Sequence, residues 1–170
     1  EKRKCVKRLI NEILAAAAIT DGTLFVGTLS GNLYAIDAAT GSQKWAKMLE
    51  GGIWGTPATD GVNVYVGTVL SKAGKSYAVN APNGQSVWPK DEEGPIAPGP
   101  LLTADQVIYV TEAGKIQSLD KNGAAKWQSI IENAKLYTPP FLAGDLILIA
   151  PMNANFLLAA YDTNGAQKWT

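Results

Sequence analysis

Catalytic chemistry draws mostly on imidazoles, thiolates and converging carboxylates, and this 170-residue sequence contains few of them. It has no histidine, so neither a Ser-His or Cys-His nucleophile pair nor a histidine-bound zinc ion is available. Cys5 stands alone, which rules out an internal disulfide and a thiolate metal site. The carboxylates are dispersed at regular intervals. Asp37, Asp60, Asp105 and Asp145 each fall in a turn between β-rich runs, where a short polar side chain satisfies backbone amides. Only residues 90–94, KDEEG, bring acids side by side, and a short charged run of this kind reads as a solvated loop. A calcium ion needs several converging oxygens. These residue types therefore assign no catalytic residue, no metal ligand and no cofactor-binding residue.

The residues that do recur at fixed spacing are aromatic. Trp45, Trp88, Trp127 and Trp169 end the phrases DAATGSQKW, NAPNGQSVW, DKNGAAKW and DTNGAQKW, and lie 43, 39 and 42 residues apart. A period near 40 marks a repeat architecture in which each unit buries its apolar faces against its neighbours. Each unit supplies four β-rich runs in order. A Pro-containing apolar strand, a turn and a second strong strand come first (residues 56–68, 99–111 and 138–150), and then a third strand (32–37, 75–80, 115–120 and 156–162). A glycine turn follows, and a fourth strand carries the Trp. Four consecutive strands form an antiparallel sheet whose two faces both need covering, and radial stacking of such sheets covers them. The fold class is all-β, a β-propeller of four-stranded antiparallel blades. Residues 15–170 divide into blades of about 15–50, 51–92, 93–132 and 133–170.

The repeated phrase assigns structural roles. Gly41, Gly84, Gly123 and Gly165 stand where the chain reverses and positive φ is needed. Asp37, Asn80, Asp120 and Asp162 start those turns and accept hydrogen bonds from their amides. Trp45, Trp88, Trp127 and Trp169 then present a large ring with one N–H donor, suited to docking one blade on the next.

The phrase A-x-D-x-x-T-G-x-x-x-W and the residues before it, GTLSGNLYAIDAATGSQKW (27–45), resemble the pyrroloquinoline-quinone-type propeller repeat with its tryptophan-docking motif. The resemblance covers about residues 15–170. Repeats three and four depart from it by one residue fewer in the turn, and repeat two by Asn80 in place of Asp and by extra residues at 69–74. The resemblance implies one of two functions. The non-catalytic branch of the family, which includes the outer-membrane barrel-assembly lipoprotein and related envelope propellers, implies a scaffold that binds a protein or envelope partner, without cofactor, in the extracytoplasmic bacterial envelope. The catalytic branch implies a fragment of a quinoprotein dehydrogenase that uses pyrroloquinoline quinone and calcium. The adjacent-cysteine disulfide of those enzymes is impossible with one cysteine, which favours the scaffold.

A scaffold of this kind binds through its irregular loops. Residues 69–76 and 151–156 occupy the same connection in alternate blades and exceed the four residues of 29–32, so Lys72, Lys75, Asn153, Asn155 and Phe156 are candidate partner contacts. Residues 89–100 form a long connection between blades. Trp54, outside the docking phrase, enters a first strand near the axis and is either a contact residue or core. Residues 1–14 do not fit the repeat. Their apolar positions, Val6, Leu9, Ile10, Ile13 and Leu14, recur at helical spacing among basic residues, so a short basic amphipathic helix is expected, read as the end of a preceding segment of a longer chain, with weak contact to an anionic membrane surface as the alternative. Outside residues 1–12 the chain has ten basic against thirteen acidic residues, so no nucleic-acid partner is indicated. Four blades leave two sheet faces bare. The arc is expected to be half of an eight-bladed ring or a fragment, completed by a second copy, a protein partner or another part of a longer chain; a tight four-bladed ring is the alternative.

Overall fold

In a computed structural model, residues 12–170 are described and form four four-stranded sheets, each antiparallel and ordered along the chain. Blade 1 holds β1 (Ala18–Thr20), β2 (Thr23–Gly27), β3 (Asn32–Asp37) and β4 (Gln43–Met48). Blade 2 holds β5 (Ala58–Thr59), β6 (Asn63–Gly67), β7 (Ala73–Asn80) and β8 (Ser86–Glu93). Blade 3 holds β9 (Leu101–Leu102), β10 (Val107–Val110), β11 (Lys115–Leu119) and β12 (Ala125–Ile130). Blade 4 holds β13 (Phe141–Ala143), β14 (Leu146–Ile149), β15 (Ala159–Asp162) and β16 (Gln167–Trp169). The architecture is a partial β-propeller.

Both faces of the inner blades are apolar, and the two-residue period of a strand sends alternate side chains to opposite neighbours. Val64 and Val66 pack with Phe25, Leu33 and Ile53 between blades 1 and 2. Tyr65, between them in sequence, packs with Val107, Tyr109 and Leu119 of blade 3. Ile108 and Val110 in turn meet Ile147, Ile149 and Tyr161 of blade 4. The core is therefore three separate junctions rather than one central mass. Among the described residues none of these clusters joins blade 4 to blade 1.

The fold departs from the sequence reading at residues 12–14, at the prolines and at residues 90–93. Residues 1–11 of the anticipated basic helix lie outside the described residues. Residues 12–14 are irregular, and the carbonyl of Glu12 accepts from the Leu29 N–H at 3.0 Å. The prolines stand ahead of the first strands: β5 follows Pro57, β9 follows Pro100 and β13 follows Pro140, because a residue without an N–H cannot donate to the ladder. Residues 90–93 are not a solvated loop. They extend β8, which pairs with a lengthened β7 from Ala73↔Glu93 to Val79↔Ser86. The extra residues of repeat two thus continue a hairpin.

A glycine recurs where blades approach most closely at their loop end. A Cβ on Gly27 would lie 2.2 Å from Ile53 Cγ2, and one on Gly67 would lie 2.1 Å from Ile96 Cγ2. Ile53 and Ile96, each fully buried in the segment leading into the next blade, fill the space those glycines leave. Ile96→Ala empties one such seat, and a loss of about 2–5 kcal/mol in urea-denaturation stability is expected from the lost methyl groups and the cavity.

Candidate functional site

Blade docking is built from the β-turn upward. In each blade the residue that starts the turn between the third and fourth strands gathers amides: Asp37 Oδ1 accepts from the Ala39 and Thr40 N–H groups, Asp120 Oδ1 from Asn122 and Ala124, Asp162 Oδ1 from Asn164 and Ala166, and Asn80 Oδ1 from Asn83. Gly41, Gly84, Gly123 and Gly165 then take φ of +71°, +73°, +87° and +84°. Three of these turns carry an indole from the preceding blade. A Cβ on Gly84 would stand 2.8 Å from Trp45, one on Gly123 2.9 Å from Trp88 and one on Gly165 2.5 Å from Trp127. Glycine at these positions thus does two things, reversing the chain and admitting a ring. Each indole also donates to the carbonyl just after the turn's first residue: Trp45 to Ala81 (2.8 Å), Trp88 to Lys121 (3.1 Å) and Trp127 to Thr163 (3.0 Å). Among the described residues no glycine turn packs against Trp169, which is 46% exposed.

Polar side chains make each junction different, and the repeat gave no sign of them. Between blades 2 and 3, Lys121 reaches Asp60 at 3.4 Å and lies 5.3 Å over the Tyr65 ring, while the Tyr65 hydroxyl donates to Asp60 at 3.0 Å. Burial works against the Asp60 carboxylate, but amide donors from Asn63 and Val62, the Tyr65 hydroxyl and Lys121 outweigh it and hold its pKa below the usual value. Burial pushes the Tyr65 hydroxyl up to about 12. Also there, the buried Glu92 pairs with Lys115 at 3.2 Å and accepts from the Ser76 hydroxyl at 3.0 Å. Between blades 3 and 4, Gln106 accepts from Ser118 (2.6 Å) and from the Trp127 indole (3.1 Å), and its amide donates to the Thr163 carbonyl (2.8 Å).

The candidate contact residues divide. Lys75 is not free: it pairs with Glu50 at 2.7 Å and Asp91 at 3.2 Å, and these partners raise its pKa above the ordinary lysine value. Phe156 packs against the core between blades 3 and 4. Lys72, Asn153 and Asn155 are exposed, and Trp54 is 45% exposed. Their end of the molecule also carries Tyr137, which enters blade 4 as Trp54 enters blade 2, together with Met152, Leu157 and Leu158, all exposed. Main-chain bridges Gly52↔Val69 and Lys135↔Met152 tie each connecting segment to the adjacent loop, so these side chains share one end of the arc. Sequence reading missed Tyr137 and Leu157. Tyr137 and Trp54 each stand three residues before the proline that precedes the first strand of their blade, Pro140 and Pro57, a usable signal; Leu157 sits in an apolar run that reads as strand.

Other features offer less. An open cleft of about 330 Å³ between blades 1 and 2 is lined by Thr20, Asp21, Phe25, Lys44 and Pro82, and Lys44 is taken up by the Thr23 hydroxyl at 2.6 Å. Among the described residues no three His, Cys, Asp or Glu side chains gather as a metal site would require. No described helix is long and apolar enough to cross a membrane.

Three comparisons bear on this architecture. The family profile described as "Outer membrane protein assembly factor BamB" matches residues 5–170. Among solved structures, BamB from Moraxella catarrhalis is similar over 94% of this chain at 25% identity and a TM-score of 0.79. This chain spans about half of that one, 49% of its length. Quinohemoprotein alcohol dehydrogenase from Comamonas testosteroni is similar over 94% of this chain and 34% of its own, at 17% identity and a TM-score of 0.79. The quinohemoprotein alcohol dehydrogenase ADHIIG from Pseudomonas putida HK5 is similar over 90% and 34%, at 16% identity and a TM-score of 0.76. At those identities the dehydrogenases share the fold. No curated protein matches the sequence.

Asp60→Asn tests the polar lock between blades 2 and 3. A carboxylate whose folded pKa is depressed stabilises the fold above its unfolded pKa, about 3.9, and that contribution disappears as pH falls through the lower folded value. The variant is expected to be less stable than the parent at pH 7 and to lose less stability below about pH 4, as read by thermal unfolding over a pH series.

Proposed function

This chain belongs to the BamB family, and on that premise we propose that it is a non-catalytic propeller scaffold of the bacterial envelope that binds a protein partner through the loop end of its blades. The observation that carries the reading is the contrast between the two ends. At the turn end, polar groups are taken up in turns and blade locks. At the loop end, Trp54, Tyr137, Met152 and Leu157 are exposed together, and Leu157 is 89% exposed. Apolar and aromatic side chains presented on rigid sheets are what a protein-binding surface uses. Lys72, Asn153 and Asn155 are the polar members of that surface.

The proposal includes no cofactor. Calcium and a quinone would need oxygens converging on one point, and six of the described acids are engaged apart from one another: Asp37, Asp120 and Asp162 with turn amides, Asp60 with Tyr65 and Lys121, Asp105 with Lys126, and Glu92 with Lys115. Similarity to the quinohemoprotein dehydrogenases supports the shared blade and nothing beyond it.

Two experiments decide this. Calorimetric titration of the chain with pyrroloquinoline quinone and calcium chloride is expected to show no saturable heat; saturable binding would overturn the scaffold reading. A photo-crosslinking residue at position 54 or 157 in the intact envelope is expected to give a protein adduct, and one at turn position 122, inside the arc, none. The opposite pattern, or no adduct from the loop end, counts against it.

A further inference from the structure

At their turn ends the junctions between blades are filled differently. Between blades 2 and 3, Lys121 crosses from blade 3, setting its ammonium 3.4 Å from Asp60 Oδ2 and 5.3 Å over the Tyr65 ring. Between blades 3 and 4, Gln106 crosses to the Thr163 carbonyl at 2.8 Å. Between blades 1 and 2 the corresponding positions hold shorter or less polar side chains. Cross-strand register puts Thr23 where Asn63 stands and Phe25 where Tyr65 stands. Ala81 stands where Lys121 does, since the carbonyl of each takes the indole of the preceding blade. The open cleft of about 330 Å³ lies at this junction, with Asp21, Phe25, Lys44, Ala81 and Pro82 in its wall.

Its charges are not balanced. Lys44 is held at one side, 2.6 Å from the Thr23 hydroxyl and 3.7 Å from Asp37. By register Thr20 takes the place of Asp60, and the carboxylate comes instead from Asp21, the next residue of the turn. Asp21 Oδ2 lies 3.8 Å from where a Cβ on Gly61 would be, so the carboxylate faces blade 2 across the cleft. Among the described residues Asp21 has no side-chain hydrogen bond or ion pair, an exception to the pairing of polar groups elsewhere at the turn end. With Lys44 set against Asp37, one uncompensated negative charge remains beside an aromatic and aliphatic wall.

We propose that this cleft binds a primary ammonium group on an aliphatic stem, taken from a ligand in place of the lysine that the chain itself supplies one junction further on. The ammonium pairs with Asp21. The stem lies against Phe25, Ala81 and Pro82, as Lys121 lies across Tyr65 to reach Asp60. An anion is the poorer fit, because the ammonium of Lys44 is already taken up by Thr23 and Asp37. A single ion pair in an open cleft is worth little and is screened by salt, so binding is weak and falls as ionic strength rises. The cleft lies at the turn end, away from the loop-end surface, and this inference and the scaffold reading fail independently.

Titration of the isotope-labelled full chain with cadaverine at constant ionic strength, followed by amide NMR, tests it. Saturable shifts are expected at Asp21, Gly22 and Gly61, and none with glutarate, a dicarboxylate of similar length. Absence of saturable shifts with cadaverine overturns the inference, as do equal shifts with glutarate. Asp21→Asn keeps a side chain that tolerates positive φ, which position 21 requires at +44°, and is expected to abolish saturation while the thermal melting curve stays unchanged. Saturable binding that survives this substitution contradicts the assignment. Ala81→Lys restores within the chain the lysine of the next junction, and is expected to raise the urea midpoint and to block cadaverine. A lowered midpoint or retained binding counts against the proposal. Nα-acetyl-lysine amide distinguishes the sources: binding equal to that of cadaverine supports a lysine side chain of a peptide, and binding about tenfold weaker supports a free diamine.

Discussion

The structure depends on one contact made three times: an indole lying flat on a glycine turn of the following blade, with its N–H on that turn's first free carbonyl. Everything else is arranged to permit it. The turn needs positive φ, the ring needs the absence of a Cβ, and the same glycine meets both demands. The Asp or Asn at the start of the turn fixes the amides, so that the carbonyl points at the incoming indole. A four-stranded sheet of this size is not stable with both faces in water, and each docked Trp closes the edge of an apolar junction that the strands fill.

A second constraint acts at the other end of the first two junctions, where Ile53 and Ile96 enter the space above Gly27 and Gly67. Blades 1, 2 and 3 are thus pinned at two points, turn end and loop end, and the aliphatic side chains between them fill the gap. Charged and polar groups individualise this common plan. The Glu92–Lys115–Ser76 cluster exists because the hairpin of blade 2 is longer than the others and reaches over blade 3, burying a carboxylate that a shorter blade would leave in solvent. Removing one member of a buried pair leaves an uncompensated charge, so the cluster ties the lengthened hairpin of blade 2 to blade 3.

The repeat was legible because the residues that build it are few and intolerant of change. A turn glycine, a turn Asp or Asn and a docking Trp each meet a specific demand of the contact, and their period gave the blade count. What stayed hidden depended on lengths and on partners far apart in sequence. Residues 90–93 look like a solvated charge run, and only pairing with an extended third strand turns Glu92 inward. Lys75 and Phe156 lie in loops that interrupt the repeat, but one is held by two carboxylates and the other is core. Trp54 was visible as the odd tryptophan; Tyr137, its counterpart in blade 4, was not, because the two match in position while differing in residue. Gln106 gave no signal at all, since its three partners come from three separate strands and turns.

The claim that the indole-on-glycine contact joins the blades is tested most directly by a double-mutant cycle on Trp45 and Gly84, followed by urea denaturation. Gly84→Ala carries a backbone cost at φ +73° in any background, and in the parent it also drives a Cβ to 2.8 Å from the ring. The cycle removes the first cost and leaves the second. The account predicts that Gly84→Ala is more damaging when Trp45 is present than when it is Ala, by an interaction energy of about 0.5–3 kcal/mol. Additive effects of the two substitutions would contradict it, and would mean that the aliphatic junctions hold the blades without the tryptophan.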